Sequence, residues 1–371
     1  MNEFALIQQA LGLAAQALFI SSPNPRVGCV IARPDGTVLG QGFTQAVGGP
    51  HAEIVALRDA SAAGQDVRGA TAYVTLEPCA HQGRTGPCCD ALVAAGIGKV
   101  VASLEDANPL VAGQGFARLR AAGVEVEVGP GAAQARELNL GFFSRMVRGT
   151  PWVRLKVAAS LDGTTALANG ASQWITSPEA RADGHAWRAR ACAVLTGIGT
   201  VLADDPRLDV RELPTPRQPQ LVVLDSRLRT PLSAQLFIAC RPTTLCAGGH
   251  SDPDFLARKA ALEARGATVL QLPGPAGQVD LPKMLRALAA RGVNELHVEA
   301  GRQLHGALLG AGLVDELLLY FAPKLLGPGR GMADMPALED LAGGISLEWQ
   351  AAERIGPDLR VLARVAGHDR F

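Results

Sequence analysis

Apolar positions change period along the chain, and the changes mark out its elements. Residues 3–19 form an apolar run interrupted by Gln8, Gln9 and Gln16, which predicts an amphipathic first helix. S-S-P-N-P-R then breaks it, because two prolines in three residues cannot continue a helix. V-G-C-V-I-A reads as a buried strand, P-D-G as a turn and T-V-L-G-Q-G-F-T as a second strand, giving a hairpin. A helix opens at His51 and runs through A-E-I-V-A-L-R-D-A. The strand A-T-A-Y-V-T-L ends at Glu77-Pro78-Cys79. A helix from Pro87 to Gly96, strand K-V-V-A-S, helix F-A-R-L-R-A-A-G and strand V-E-V-E-V follow. Such alternation predicts an α/β layer structure with a mostly parallel sheet.

G-F-F-S-R-M-V-R-G-T-P reads as a connector, and the pattern restarts at Trp152, so the boundary falls at Thr150-Pro151. W-V-R-L-K-V-A-A-S is a strand. S-Q-W-I-T-S-P-E-A-R opens a helix that Thr176 or Ser177 can cap. A-C-A-V-L-T-G, L-V-V-L-D-S, T-T-L-C-A and T-V-L-Q-L are further strands. L-P-K-M-L-R-A-L-A-A-R-G is an amphipathic helix with a glycine stop. E-L-H-V-E-A-G-R-Q-L-H-G-A-L-L reads as strand, glycine turn and helix, and closing strands end the chain. Two domains are predicted, 1–149 and 150–371, both α/β.

Composition narrows the function. Of 371 residues, Lys+Arg number 35 and Asp+Glu number 35, so no overall basic field exists to hold a nucleic-acid backbone. Seven cysteines without a regular framework point to a reducing compartment, with some thiols on metal and others buried, Cys29 among the latter. The N-terminus lacks a basic start and no transmembrane span is evident, so the expected location is the cytoplasm, away from membranes. Oligomeric state is not readable, and a homo-oligomer stays open.

The chemistry concentrates between residues 51 and 88. His51, Cys79 and Cys88 would supply three zinc ligands, and a catalytic zinc keeps one position open for water. Two thiolates balance the metal's charge and leave that water acidic enough to give hydroxide near neutral pH. Glu53 lies two residues past His51, and on a helix that spacing sends the two side chains to nearly opposite sides, so Glu53 reads as a proton carrier and not a ligand. Zinc base deaminases share the signature H-x-E followed by P-C-x-x-C. Here residues 80–87 separate Cys79 from Cys88, a departure from it. Pro87 suits the first turn of a helix and places Cys88 at a helix N-terminus, where a thiolate is favoured. Cys89 competes with Cys88, which is preferred because it directly follows Pro87. Asn24, between two prolines, is either a turn former or an amide aimed at substrate. His81 and Arg84, in the loop between the cysteines, are either solvent-facing or substrate contacts, and Arg84 could hold a phosphate bidentately. In the second half, Gly301 ends a strand and opens a helix whose N–H groups can receive phosphate. G-I-G-T at 197–200 is a second glycine turn. Neither run completes a P-loop or a G-x-G-x-x-G fingerprint, and each alone can be plain helix capping.

P-N-P-R-V-G-C-V-I, H-A-E, T-L-E-P-C-A-H-Q-G-R-T-G-P-C and D-A-N-P-L-V-A-G-Q-G together closely resemble the deaminase half of the bifunctional riboflavin-biosynthesis deaminase/reductase family. The long cysteine spacing fits that family. Its loop usually has proline where this chain has Gly86, which touches no ligand. S-L-D-G, G-x-S-Q-W-I-T-S, T-V-L-A-D-D-P-R-L, V-E-A-G and A-P-K-L-L-G resemble the reductase half. The resemblance covers nearly the whole chain, thinning at 211–220 and 228–290.

The resemblance implies an N-terminal cytidine-deaminase-like zinc domain followed by a dihydrofolate-reductase-like α/β domain using NADPH. Carried over by position, Ala158, Trp174, Thr200, Asp204, Ser226 and the turn Gly301, Arg302, Gln303, Leu304, His305, Gly306 and Ala307 would contact NADPH. Ser172, Arg188, Leu208, Arg211 and Glu299 would contact the substrate, a pyrimidine ribonucleotide. Arg188 and Arg211 suit a sugar phosphate, and Glu299 suits a ribose hydroxyl or amine. Against this stand ordinary packing for Trp174 and a solvated helix position for Arg188. The implied activity is zinc-dependent deamination of 2,5-diamino-6-ribosylamino-4(3H)-pyrimidinone 5′-phosphate, then NADPH reduction of the ribosyl side chain to ribityl. The rivals are a nucleoside, nucleotide or tRNA-base deaminase fused to an unrelated nucleotide-binding domain, a structural zinc module, and a homologue with one dead half. Cysteine spacing and neutral charge weigh against the first, and an intact Glu53 against the second.

Overall fold

A computed structural model describes residues 2–80, 86–109 and 111–371. His81 and Arg84 lie outside the described residues. The chain divides into two compact units, Met1–Gly149 and Thr150–Phe371.

Unit 1 opens with α1 (Glu3–Gln16), capped by the Asn2 side chain, which accepts the Ala5 N–H at 2.9 Å. The helix stops short of residue 19 because its last turn tightens into a 3₁₀ turn at Ala17–Phe19. There follow β1 (Gly28–Ala32), β2 (Val38–Phe43), α2 (Ala52–Ala62), β3 (Thr71–Val74), α3 (Cys88–Ala94), β4 (Lys99–Ala102), α4 (Gln114–Ala121), β5 (Glu125–Val128), α5 (Ala132–Leu138) and α6 (Leu140–Arg148). The sheet order is β2-β1-β3-β4-β5. The expectation of a mostly parallel sheet holds only for β3, β4 and β5, because β1 runs antiparallel to both β2 and β3. The short P-D-G turn forces the first reversal. Helix α2 then crosses from β2 to β3, which run the same way on either side of β1. Leu6, Ile7, Ala10 and Leu11 of α1 pack on Val30, Tyr73 and Val101.

Unit 2 comprises β6 (Trp152–Ser160), β7 (Ala166–Leu167), α7 (Pro178–Arg190), β8 (Ala193–Gly197), α8 (Ile198–Asp204), β9 (Gln220–Leu224), β10 (Thr243–Ala247), α9 (Pro253–Ala264), β11 (Thr268–Gln271), α10 (Leu281–Ala290), β12 (Glu295–Val298), α11 (Arg302–Gly310), β13 (Glu316–Ala322), β14 (Gly329–Arg330), β15 (Leu347–Ile355) and β16 (Asp358–Val365). Its main sheet has the order β11-β10-β9-β8-β12-β6-β13-β16-β15, parallel from β11 to β13 and antiparallel through β16 and β15. Of the two candidate caps for α7, Ser177 does the capping, accepting the Ala180 N–H at 3.2 Å. Two apolar clusters, one around Leu155, Leu195 and Leu296 and one around Leu221, Leu245 and Phe255, form the core.

Alternation on the central strand β6 sends Val153, Leu155 and Val157 into apolar packing and Arg154 and Lys156 to the other face. Arg154 is fully buried there. It pairs with Glu295 at 3.0 Å and Glu316 at 2.5 Å, and its guanidinium lies 4.5 Å from the Trp187 ring. Such a charge is tolerated inside a sheet because partners satisfy it.

Candidate functional site

In unit 1 three donors converge. His51 is the N-cap of α2, with extended backbone (φ −74°, ψ 167°), and its ring does no capping. It turns to two sulfurs instead: His51 Nδ1 lies 3.6 Å from Cys79 Sγ and 3.4 Å from Cys88 Sγ. Ligand atoms bound to one tetrahedral zinc stand about 3.5 Å apart, so the set fits such an ion and all three donors lie within reach of it. Cys79 follows the end of β3. Cys88 is the first residue of α3, with Pro87 as N-cap, one place earlier than the sequence suggested. The N–H of Cys88 donates to Cys79 Sγ at 3.4 Å, a contact that favours thiolate. Cys79 is accordingly drawn below the usual thiol range, first by the Cys88 thiol and then by His51, against burial. Cys88 is pushed up by sharing its proton with Cys79. Metal binding to such a pair releases that proton. Cys89 is buried too, but its Sγ faces Asp90 Oδ1 at 3.8 Å.

Glu53 is buried and lines the same cavity as His51 and Cys79, a space of about 430 Å³ that also reaches Asn24, Asp106, Asn108 and Phe142. The sequence argument set His51 and Glu53 on opposite sides of a helix. That geometry does not apply, because His51 stands before the helix in extended conformation, and both side chains reach the cavity. Burial pushes the Glu53 carboxyl up to about 7. The charge of Cys79 acts the same way and His51 acts against it. Cys29, beneath it on β1, is fully buried, and its thiol is raised by burial and by Glu53.

One organising residue had no role in the sequence reading. The Glu77 carboxylate accepts four backbone N–H groups: Asp106 (3.1 Å), Gly113 (2.9 Å), Gly115 (2.8 Å) and Phe116 (3.2 Å). It thereby staples the loop after β4 against the segment that carries Cys79. A Cβ on Gly115 would stand 2.0 Å from the Pro78 carbonyl oxygen, so only glycine allows this approach. The signal available was a carboxylate wedged between a strand end and Pro78. On the other side, Asn139 accepts the Arg26 N–H at 2.7 Å and donates to the Arg26 carbonyl at 2.9 Å, which pins the P-N-P-R loop carrying Asn24.

In unit 2, Arg188 on α7 makes two parallel bonds to Glu299, just past β12; the Nη2–Oε2 bond is 2.9 Å. Arg188 also donates to the Asp209 carbonyl at 3.1 Å. Arg211 donates to Asp209 Oδ1 at 2.9 Å, and its N–H reaches His185 Nδ1 at 3.3 Å. Leu208 lies between these in left-handed conformation, φ 53°. Four of the five expected substrate contacts thus share one cluster. Lys156 and His297 join it, 3.6 and 3.5 Å from Glu299, and were not singled out in the sequence. A lysine inside a central parallel strand was the available sign. Glu299 is held well below the usual carboxylate range: burial opposes this, but Arg188 and then Lys156 outweigh it. Burial lowers Lys156 in spite of Glu299.

The expected cofactor contacts gather less tightly. Thr200 stands next to Gly301, 3.9 Å from where a Cβ would project, and Leu304 approaches Gly197 at 3.6 Å in the same sense. The two glycine turns therefore face each other. Neither needs glycine for its backbone, since φ is −105° at Gly197 and −84° at Gly301. Arg302 pairs with Asp334 at 3.3 Å, His305 Nδ1 lies 2.9 Å from the Met332 carbonyl oxygen, Gly306 is buried, and Gln303 and Ala307 are exposed. Ala158 is half-buried on β6, Asp204 ends α8, and the Ser226 carbonyl accepts the Gly248 N–H at 3.0 Å. Ser172 and Trp174 precede α7, where Trp174 is 63% exposed with the Arg181 guanidinium 4.5 Å from its ring. Among the described residues, no side-chain hydrogen bond or ion pair joins Ala158, Ser172, Trp174, Asp204 or Ser226 to either group. No helix among the described residues is long and apolar enough to cross a membrane.

The RibD C-terminal domain family matches residues 151–361, and the cytidine and deoxycytidylate deaminase zinc-binding region matches residues 2–104. A riboflavin biosynthesis protein RibD of Escherichia coli is 45% identical over 364 residues, spanning 97% of this chain and 98% of that protein. Its counterpart in Aquifex aeolicus is 38% identical, spanning 94% and 95%. Among solved structures, an Acinetobacter baumannii RibD superposes with a TM-score of 0.88 at 41% identity, covering 97% of this chain and 98% of that one. A Thermotoga maritima diaminohydroxyphosphoribosylaminopyrimidine deaminase/5-amino-6-(5-phosphoribosylamino)uracil reductase does so with a TM-score of 0.85 at 30% identity, covering 98% of each.

Proposed function

The chain belongs to the RibD family of bifunctional riboflavin-biosynthesis proteins, and from that premise we propose how its residues divide the work. It carries out two consecutive steps: deamination of 2,5-diamino-6-ribosylamino-4(3H)-pyrimidinone 5′-phosphate, then reduction of 5-amino-6-(5-phosphoribosylamino)uracil to the ribitylamino product. Unit 1 takes the first step and unit 2 the second. Relatives that span both halves leave a deaminase fused to an unrelated domain without support.

His51, Cys79 and Cys88 are the zinc ligands, and Cys89 is not. When bound, zinc supplies a Lewis acid that makes water acidic near neutral pH. Glu53 takes a proton from the attacking water, delivers one to the ring nitrogen and assists departure of ammonia. Its enclosure suits this, since a buried carboxylate exchanges protons with substrate and not with bulk solvent. Asn24, which lines the cavity, contacts the substrate, and so do His81 and Arg84 of the cysteine loop. The observation that carries the reading is the convergence of His51, Cys79 and Cys88 with Glu53 buried in the same cavity. Glu53→Gln is expected to retain zinc and lose ammonia release by about 10²–10⁴-fold. Deamination at the normal rate by a zinc-replete variant would remove Glu53 from the mechanism.

In unit 2, NADPH, when bound, supplies the hydride. Thr200, Ala158, Trp174, Asp204, Ser226 and residues 301–307 would hold it. Arg188 and Arg211 receive the substrate phosphate, and Glu299, with Ser172 and Leu208, faces the ribosyl group. NADPH oxidation dependent on the deaminated substrate is the assay, and none at saturating substrate would sink this half. Seven cysteines without a regular framework, two of them read as metal ligands, support a reducing compartment, the cytoplasm.

A further inference from the structure

Residues 205–211 follow α8 and belong to no helix or strand. Side chains from elsewhere hold their backbone instead. Arg241 donates to two consecutive carbonyls, those of Arg207 and Leu208, the latter at 2.6 Å. The Gln218 amide grips Val210 from both sides, each bond 2.8 Å. Within the strap, the buried Asp209 carboxylate accepts from Arg207 at 2.5 Å and from Arg211 at 2.9 Å. Leu208 sits at φ 53°, which an L side chain adopts only when its surroundings impose it. The clamp on its carbonyl and the burial of its side chain are what impose it here.

The charges around the strap do not balance. Arg188, Arg207, Arg211, Arg241 and Lys156 face three carboxylates, Asp209, Glu299 and Glu212, the last 3.9 Å from Arg211 Nε. Arg241 is the crowded one. Burial, with Arg188 and Arg207 nearby, pushes it down to about 10, and its Nε is buried with no hydrogen-bond partner. A doubly charged phosphate at this strap would cancel the excess. Beside Arg188, already bonded to Glu299, its further contacts are the Arg207 and Arg211 guanidiniums, whose side chains are 40% and 43% exposed.

We propose that Arg241 and Asp209 are positioning residues of the reductase, holding strap 205–211 so that Arg207 and Arg211 meet the phosphate of the substrate. Arg241 acts through backbone carbonyls and Asp209 through the two guanidiniums. The inference rests on the reading of Arg188 and Arg211 as substrate contacts.

The test uses the full-length protein and compares the phosphorylated reductase substrate with its dephosphorylated form. Arg241→Met, which keeps the stem, is expected to raise KM for the phosphorylated substrate roughly 10- to 100-fold, the size of a lost charge-assisted contact. Reductase kcat and ammonia release should change by less than about 3-fold, on the scale of a surface substitution, and turnover of the dephosphorylated form should not fall. Asp209→Asn, which preserves shape, is expected to do the same more weakly. Calorimetric affinity for ribose 5-phosphate should fall in parallel. An unchanged KM in both variants, or an equal loss on both substrates, would overturn the positioning role. If Arg211→Ala also leaves ribose 5-phosphate binding intact, the phosphate reading itself fails.

Discussion

The two sites are built in opposite ways. In unit 1 the donors lie within residues 51–88: an N-cap, a helix start and, between them, Cys79 in the segment after β3, all aimed at one point. In unit 2 the cluster draws on residues from Lys156 to Glu299, and part of it rides on a strap with no secondary structure of its own. Helix termini supply orientation as a by-product of folding. A strap must be tethered by individual side chains, so its geometry depends on bonds that single substitutions remove. The metal centre should fail through its ligands, and the unit 2 cluster through its neighbours.

The largest test of that contrast lies in the cysteines. Cys88→Ala should abolish bound zinc and ammonia release together, while Cys89→Ala keeps both, as read by metal analysis. The reverse pattern would exchange the two residues. Next in size, Arg188→Ala leaves the buried Glu299 charge without its main partner. Breaking such a pair costs about 3–5 kcal/mol. Denaturant melts should show the protein weakened while ammonia release persists, and an unchanged melt would contradict the weight given to the Arg188–Glu299 pair. Glu77→Gln turns an amide NH₂ toward backbone donors, and a loss of about 3 kcal/mol is expected from unit 1. An unchanged melt would mean that the loop after β4 is held by something other than Glu77.

The smallest effect is a slope with pH. His185 is lowered to about 4 from 6.5, first by burial and then by Arg188 and Arg211. Between pH 6.5 and about 4 the unfolded chain therefore binds a proton that the folded chain does not, so stability falls as pH falls through that window. The drop attributable to His185 is up to roughly 3 kcal/mol, and protonation would also end its acceptance of the Arg211 N–H. His185→Gln should flatten the slope, measured as the thermal midpoint at pH 6.5 and 4.5. An identical slope would acquit His185.

Much of unit 1 was legible without coordinates. Proline pairs, apolar runs and glycine stops lie close together in sequence, and the physics they express is local: fixed φ, missing N–H groups, side-chain period. His51, Glu53, Cys79 and Cys88 could be chosen because zinc chemistry dictates residue types that rarely occur so spaced by accident. The choice of Glu53 as a proton carrier came from a helical spacing that His51, standing outside the helix, does not obey. In unit 2, Arg188, Leu208, Arg211 and Glu299 were chosen through resemblance alone, since no local rule links positions so far apart.

By itself, the sequence determined the α/β alternation, the candidate donor set and the turn residues, all set by neighbours along the chain. Only the tertiary structure decided that β3 pairs antiparallel with β1, that Glu77 gathers four N–H groups, and that Asp209 and Arg241 bind a strap into shape. Those depend on which polar groups meet once apolar faces have packed. A buried hydrogen-bond donor takes whichever acceptor the fold brings to it, and sequence distance does not enter that requirement.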